Sequence, residues 1–366
     1  VGARALVADR SILVTAGTGG VGKTTVAAAL ALEGAHAGRR ACVVTVDPAK
    51  RLADALGLES LGNAPKRIDG PWPGELWAMM LDTKGTFDDL VVRYSAGPDQ
   101  SRSILDNRLY RNISGALSGT QEYMAMEKLY ELHDSGQFDL IVVDTPPTRH
   151  ALDFLDAPNR LTRFLDNRIF RLLIMPTRAY LRAVSAATHA FLRTVSRIVG
   201  TEVVSDVITF FEAFEGMEAG FRDRAAAVRE LLAAPGTAFV LVTSPRSDAV
   251  DEASFFAQRL AEGGIEVSLL VVNRLHPDFG GAVPGALAGP PPPAGAPAGA
   301  PPATPLASHR RNLADFHGVA AQEEASFAAL AESLAPAPVG RVPFLPDDVH
   351  DLDGLAVVAG YLTAPA

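Results

Sequence analysis

One stretch constrains this chain more than any other: Gly17-Thr18-Gly19-Gly20-Val21-Gly22-Lys23-Thr24-Thr25. The apolar run Ile12-Leu13-Val14 before it predicts a buried strand, and residues 26–32 after it predict a helix. A glycine loop between strand and helix lets successive backbone N–H groups converge on a phosphate, with the positive end of the helix dipole behind them. Gly17, Gly22, Lys23 and Thr24 complete the pattern G-x-x-x-x-G-K-T. In it the lysine reaches the β- and γ-phosphates and the threonine hydroxyl ligates Mg²⁺. Gly17, Gly19 and Gly22 also fit G-x-G-x-x-G, and Asp47 stands near the end of the next predicted strand, where a dinucleotide fold keeps a ribose-binding acid. A dinucleotide loop has no use for Lys-Thr directly after its last glycine. The nucleoside-triphosphate reading therefore leads, and an NAD-dependent oxidoreductase is the rival.

Beyond the loop the chain alternates strand and helix signals, as a doubly wound α/β fold with a mostly parallel sheet does. Residues 41–46, 76–81, 138–144, 238–243 and 267–272 are apolar runs, the pattern of parallel strands buried on both faces, and 340–344 reads as a last strand. Helices are predicted over 84–95, 101–117, 119–132 and 248–262. Met124 and Met126 read as core filler. Asp47, at the carboxyl end of the second strand, serves either to position or deprotonate a water beside a γ-phosphate or to cap a helix over 50–56. Asp144 ends the strand at 138–144 and is placed to hold Mg²⁺ through a water. Residues 144–152, Asp144-Thr145-Pro146-Pro147-Thr148-Arg149-His150-Ala151-Leu152, form a stiff turn entering a helix, a segment that γ-phosphate contacts can tether and release.

These signals divide the chain into a core over 1–160, a helical block over 161–235, a return to the core over 236–280, an insertion over 281–308 and a last core segment over 309–366. In the helical block Leu161, Phe164, Leu165, Ile169, Leu172 and Leu173 recur at helical spacing, as do Val207, Phe210, Phe211, Phe214, Met217 and Phe221. Such stripes either pack on one another or line an apolar groove for a hydrophobic partner. The Pro/Ala/Gly tract at 281–308, with Pro290 to Pro293 in succession, has a composition that builds no packed core and is expected to be disordered or extended. The helix after it carries Leu313, Phe316, Phe327, Leu330 and Leu334 on one face.

The formal net charge of −9 argues against a nucleic-acid surface. No apolar run has membrane-spanning length, and the opening residues lack a basic segment followed by an apolar one, so a soluble cytoplasmic protein is expected. The single cysteine, Cys42, excludes an intrachain disulfide and any metal site needing two thiolates. Within an apolar strand it reads as an inert core thiol.

The glycine loop with its two threonines, Val46-Asp47-Pro48-Ala49 and the segment 144–152 together resemble the ArsA family. That family includes arsenite-pump ATPases and the factors that target tail-anchored membrane proteins. It is related to MinD and ParA, and the likeness is nearest its actinobacterial anion-transporting branch. The resemblance implies a P-loop NTPase fold with a helical subdomain, and a Mg²⁺-dependent ATPase working as a dimer with facing ATP sites. It implies that Asp47 is the switch I catalytic aspartate and that residues 144–150 are switch II. It implies further that Asn273 recognises the adenine edge, where a turn residue is the other reading, and that the loop holding Pro343 and Pro346 closes over the base.

Three features depart from the family pattern. Thr18 stands where the family has a lysine that reaches the partner's phosphates, and Arg149 where it usually has glycine. Cys42 alone makes neither a metalloid site of several cysteines nor a zinc-bridging pair. Arg149 is accordingly either a substitute charge at the developing phosphoryl group or a solvated helix charge. The expected partner is a second copy or a paralogous ATPase. In the latter case the chain is a nucleotide-sensing subunit with little turnover alone. A hydrophobic or membrane-protein client is expected, with the chain at a membrane only through a partner.

Overall fold

The computed structural model describes residues 2–47, 50–108, 110, 120–146, 217–278 and 305–364. Among them the strands are β1 (Ile12–Ala16), β2 (Arg40–Thr45), β3 (Lys66–Ile68), β4 (Glu75–Met80), β5 (Leu140–Asp144), β6 (Thr237–Thr243), β7 (Val267–Leu275) and β8 (Val339–Pro343). The helices, in chain order, are α1 (Ala3–Asp9), α2 (Lys23–His36), α3 (Arg51–Ala55), α4 (Thr83–Tyr94), α5 (Pro98–Leu105), α6 (Thr120–Asp134), α7 (Glu218–Ala233), α8 (Ser247–Glu262), α9 (Pro305–Ser333) and α10 (Leu352–Thr363). The strands form one sheet in the order β3-β4-β2-β5-β1-β6-β7-β8. Each pairing is parallel except that of β3 with β4.

The apolar runs fall where helices cover both faces of the sheet. Along β1, Ile12, Val14 and Ala16 join the core beneath α4, α6, α7, α8 and α9, while Leu13 joins the core beneath α1, α2 and α10. Alanine lets α2 lie close to the sheet: Val26 through Leu32 are all buried. The approach is tight at Gly34, where an added Cβ would come within 2.7 Å of Leu140 Cδ2 and 3.0 Å of Ala41 Cβ. Gly34→Ala is therefore expected to destabilise the fold by about 1–3 kcal/mol in denaturant unfolding, although alanine is the better helix former. Unchanged stability would mean that helix and sheet have slack there.

Several expectations are corrected. The helix predicted over 101–117 starts earlier, at Pro98, which suits a first turn, and is interrupted after Leu105 at Asp106 and Asn107, with 108 and 110 helical again. Residues 111–119 lie outside the described residues. The helix after the proline-rich tract begins at Pro305, inside the stretch expected to lack structure, because proline is tolerated at a helix start. The rest of the tract, 281–304, lies outside the described residues. Phe316 lies on the helical face of Phe327 but is not buried as Phe327 and Leu330 are. It is 44% exposed, whereas those two are 1% and 3%, so burial along α9 lies in its C-terminal half.

Other readings hold. Met124 and Met126 are core residues, and Cys42 is buried with its thiol pushed well up by desolvation. From the helical block, Met217 and Phe221 are buried core residues, with the Phe221 ring 5.1 Å from that of Tyr94. Residues 161–216, with the remaining stripe positions, lie outside the described residues, as do Arg149 and His150. No helix among the described residues is long and apolar enough to cross a membrane.

Candidate nucleotide-binding site

Strand β1 lies between β5 and β6, so the chain leaves it first toward β2 and later returns on its other side. Crevices at such switch points, outside the carboxyl ends of the strands, are where open α/β sheets hold ligands. The glycine loop spans this point. Gly17 has φ 149° and Gly22 φ 95°, conformations glycine adopts without a steric penalty. A Cβ at Gly17 would lie 2.0 Å from the Val242 carbonyl oxygen, and one at Gly22 2.2 Å from Asn273 Nδ2. Gly22 directly precedes α2, whose first residue is Lys23.

Lys23 is buried, and its ammonium donates to the Thr18 carbonyl at 2.8 Å. Burial pulls its pKa below the ordinary lysine value, the charge of Asp144 opposes that, Arg51 pushes the same way as burial, and Asp47 opposes. Asp144 is 1% exposed at the end of β5. Its Oδ2 accepts from the hydroxyls of Thr24 and Thr45, each at 2.8 Å. Its Oδ1 is buried with no hydrogen-bond partner. Desolvation pushes this carboxyl up to about 6, against the two hydroxyl donors and Lys23. An orphaned carboxylate oxygen beside a threonine hydroxyl is a hard oxygen donor set of the kind Mg²⁺ prefers. The residues present fit that ion.

The Thr45 hydroxyl also accepts from the Asp47 N–H at 3.2 Å, which ties the end of β2 to the Asp144 carboxylate. The cap position of α3 is Lys50, with no side-chain cap bond of its own. Asp47 Oδ2 faces Arg51 Nη1 at 3.4 Å. Gly20, Gly22, Lys23, Thr24, Thr25 and Asp47 line one cavity of ≈350 Å³, together with Arg51 and Arg274. Thr18, Gly19, Gly20 and Val21 line an adjoining cavity of ≈660 Å³, which Arg274 also borders.

Of the residues expected at the base, Asn273 contacts the glycine loop, and Phe344, from the stretch that holds Pro343 and Pro346, lines the cavity beside Thr18, Gly19, Gly20 and Val21. Asn273 donates from Nδ2 to the Val21 carbonyl at 2.9 Å and accepts at Oδ1 from the Arg274 N–H at 2.9 Å. Its amide braces the glycine loop. Pro343 ends β8 and lines a separate cavity of ≈1060 Å³ beside α9. Neither Pro343 nor Pro346 is among the residues of the ≈350 Å³ cavity. From the same stretch, Val349 is. The readings from sequence missed Thr45, Arg51 and Arg274. Thr45 carried a signal, a hydroxyl inside an apolar strand. Arg274 has φ 65°, rare for a residue with a side chain, which only the fold reveals.

The buried Asp144 makes stability depend on pH when no metal is bound. A carboxyl whose folded value is raised from 3.8 to about 6 binds its proton more tightly folded than unfolded. The stabilisation is full below 3.8 and is lost as pH rises through about 6. Asp144→Asn is expected to stabilise the chain at pH 8 in EDTA by about 1–2 kcal/mol and to flatten its stability between the two values. A denaturant series that finds Asp144→Asn weaker than wild type at pH 8 would refute this.

Comparison with known proteins adds a family-scale likeness. The family model described as Anion-transporting ATPase matches residues 10–281. ATPase ARSA1 of Chlamydomonas reinhardtii is 30% identical over 73% of this chain and 35% of its own length. An uncharacterised protein of Streptomyces coelicolor is 32% identical over 74% of this chain and 63% of its own. ATPase GET3B of Arabidopsis thaliana is 28% identical over 73% and 65%. The chain thus spans about a third of the first of these relatives and under two thirds of the other two.

Proposed function

The chain belongs to the ArsA family of anion-transporting ATPases, and from that premise we propose that it hydrolyses ATP to ADP and phosphate with Mg²⁺ and uses the cycle to act on a partner. The observation that carries this reading is the convergence of Lys23, Thr24 and Asp47 on one crevice, with the half-satisfied carboxylate of Asp144 held behind Thr24 by its hydroxyl. The loop amides and Lys23 bind the phosphates. Thr24 directly, and Asp144 through a water, hold Mg²⁺, which when bound neutralises phosphate charge. Asp47 orients the attacking water. Phosphoryl transfer asks of a protein mostly positioning and charge stabilisation, which these groups supply. The family leaves the dinucleotide reading without support, and Asp47 stands with the phosphate-binding residues.

The partner is a second copy or a paralogous ATPase, and the client is hydrophobic or a membrane protein. Cys42, the single cysteine and buried, speaks against a thiolate-bound metalloid as effector. Release of inorganic phosphate from Mg²⁺-ATP by the purified chain tests the proposal. Turnover that disappears in Lys23→Ala supports it. Release that Lys23→Ala leaves untouched refutes it. Nucleotide binding without turnover favours the sensing subunit of a heterodimer.

A further inference from the structure

We propose that Arg51 is a γ-phosphate ligand that rests on Asp47 when no triphosphate is bound, so that arrival of the phosphate engages the arginine and releases the Asp47 carboxylate together. This rests on the ATP-site reading above.

Arg51 is the first residue of α3 and lines the same ≈350 Å³ cavity as Gly20, Lys23 and Thr24. Its Nη1 stands 3.4 Å from Asp47 Oδ2. That is longer than the roughly 2.7–2.9 Å of a well-made charge-assisted hydrogen bond, so the pair is loosely held. The arginine side chain is 61% exposed and the aspartate 15%, so the guanidinium can swing while the carboxylate stays in place. The Arg51 charge depresses the pKa of Lys23, which sets the two cations within electrostatic reach of each other. Lys23 meanwhile rests on the Thr18 carbonyl.

Two cations facing one cavity repel until an anion lies between them. A triphosphate offers both of them stronger acceptors than a carbonyl and a stretched carboxylate contact. The loop amides and Lys23 enclose the inner phosphates, and Arg51 enters from the Asp47 side, where the terminal phosphate and its attacking water meet. Arg274 borders the same cavity, and Arg51 is the arginine that stands against Asp47.

The assignment predicts discrimination between nucleotides. In calorimetric titrations of the full chain with Mg²⁺, Arg51→Ala is expected to weaken binding of AMP-PNP at least tenfold and that of ADP less than twofold. Arg51→Lys should recover part of the loss. Asp47→Ala removes the resting partner. It is expected to tighten AMP-PNP binding severalfold when Arg51 is present and to leave it unchanged in the double variant, a coupling that a merely structural arginine would not give. Equal weakening of both nucleotides by Arg51→Ala, or weakening of neither, overturns the assignment while leaving the ATP site intact. A wild-type chain that binds neither nucleotide overturns both.

Discussion

Asp47→Asn is expected to lower ATP turnover by about a thousandfold while leaving ATP bound. Asparagine keeps the shape of the side chain and one acceptor oxygen, but it takes no proton and carries no charge toward the attacking water. Groups with that duty contribute roughly 10²–10⁴ in rate. The backbone of Asp47 is fixed independently of its carboxylate, through its N–H on the Thr45 hydroxyl, so the exchange removes chemistry before it removes structure. Steady-state phosphate release set beside calorimetric ATP binding separates the two. Turnover within tenfold of wild type would take the water-positioning role away from Asp47. Loss of binding and turnover together would make it a binding residue instead.

The second large effect is expected at Gly17. An alanine there brings a methyl group to 2.0 Å from the Val242 carbonyl oxygen, and that atom belongs to the backbone of β6 in the middle of the sheet. Neither side yields easily, and φ 149° is a conformation that side chains rarely adopt. Gly17→Ala should cost about 3 kcal/mol or more in urea unfolding and displace the loop enough to abolish ATP binding. Gly20 makes an instructive contrast. Its φ is 82°, yet an added Cβ meets nothing within 4 Å, so Gly20→Ala should cost only the roughly 1 kcal/mol of a left-handed alanine. Equal penalties at the two positions would show that backbone conformation, not the approach of β6, makes the loop demand glycine.

The glycine loop, Asp47 and Asp144 were legible in sequence because each sits at a strand end where a fixed spacing ties residue type to chemistry. The central strands were legible for a related reason, since burial on both faces turns each into an uninterrupted apolar run. Thr45 and Arg51 were not, because their meaning lies in adjacency. Thr45 gains its role only when β2 pairs with β5 and its hydroxyl meets Asp144, 99 positions away. Arg51 reads as one more exposed cation until α3 sets it over the cavity. Asn273 was singled out through the family resemblance, as the residue for the adenine edge; what only the fold adds is the hold of its amide on the Val21 carbonyl. The short antiparallel edge β3 offers three residues of signal. The exposure of Phe316 has its own cause: periodicity reports a helical face, not how far along the helix that face is covered.

Binding of Mg²⁺-ATP in this crevice is the decisive property. Titration of the purified chain with ATP and, separately, with NADH in the presence of Mg²⁺ tests it most directly. Saturable ATP binding that Lys23→Ala abolishes, with no heat from NADH, is the expected result. NADH binding, or ATP binding that survives Lys23→Ala, would contradict it.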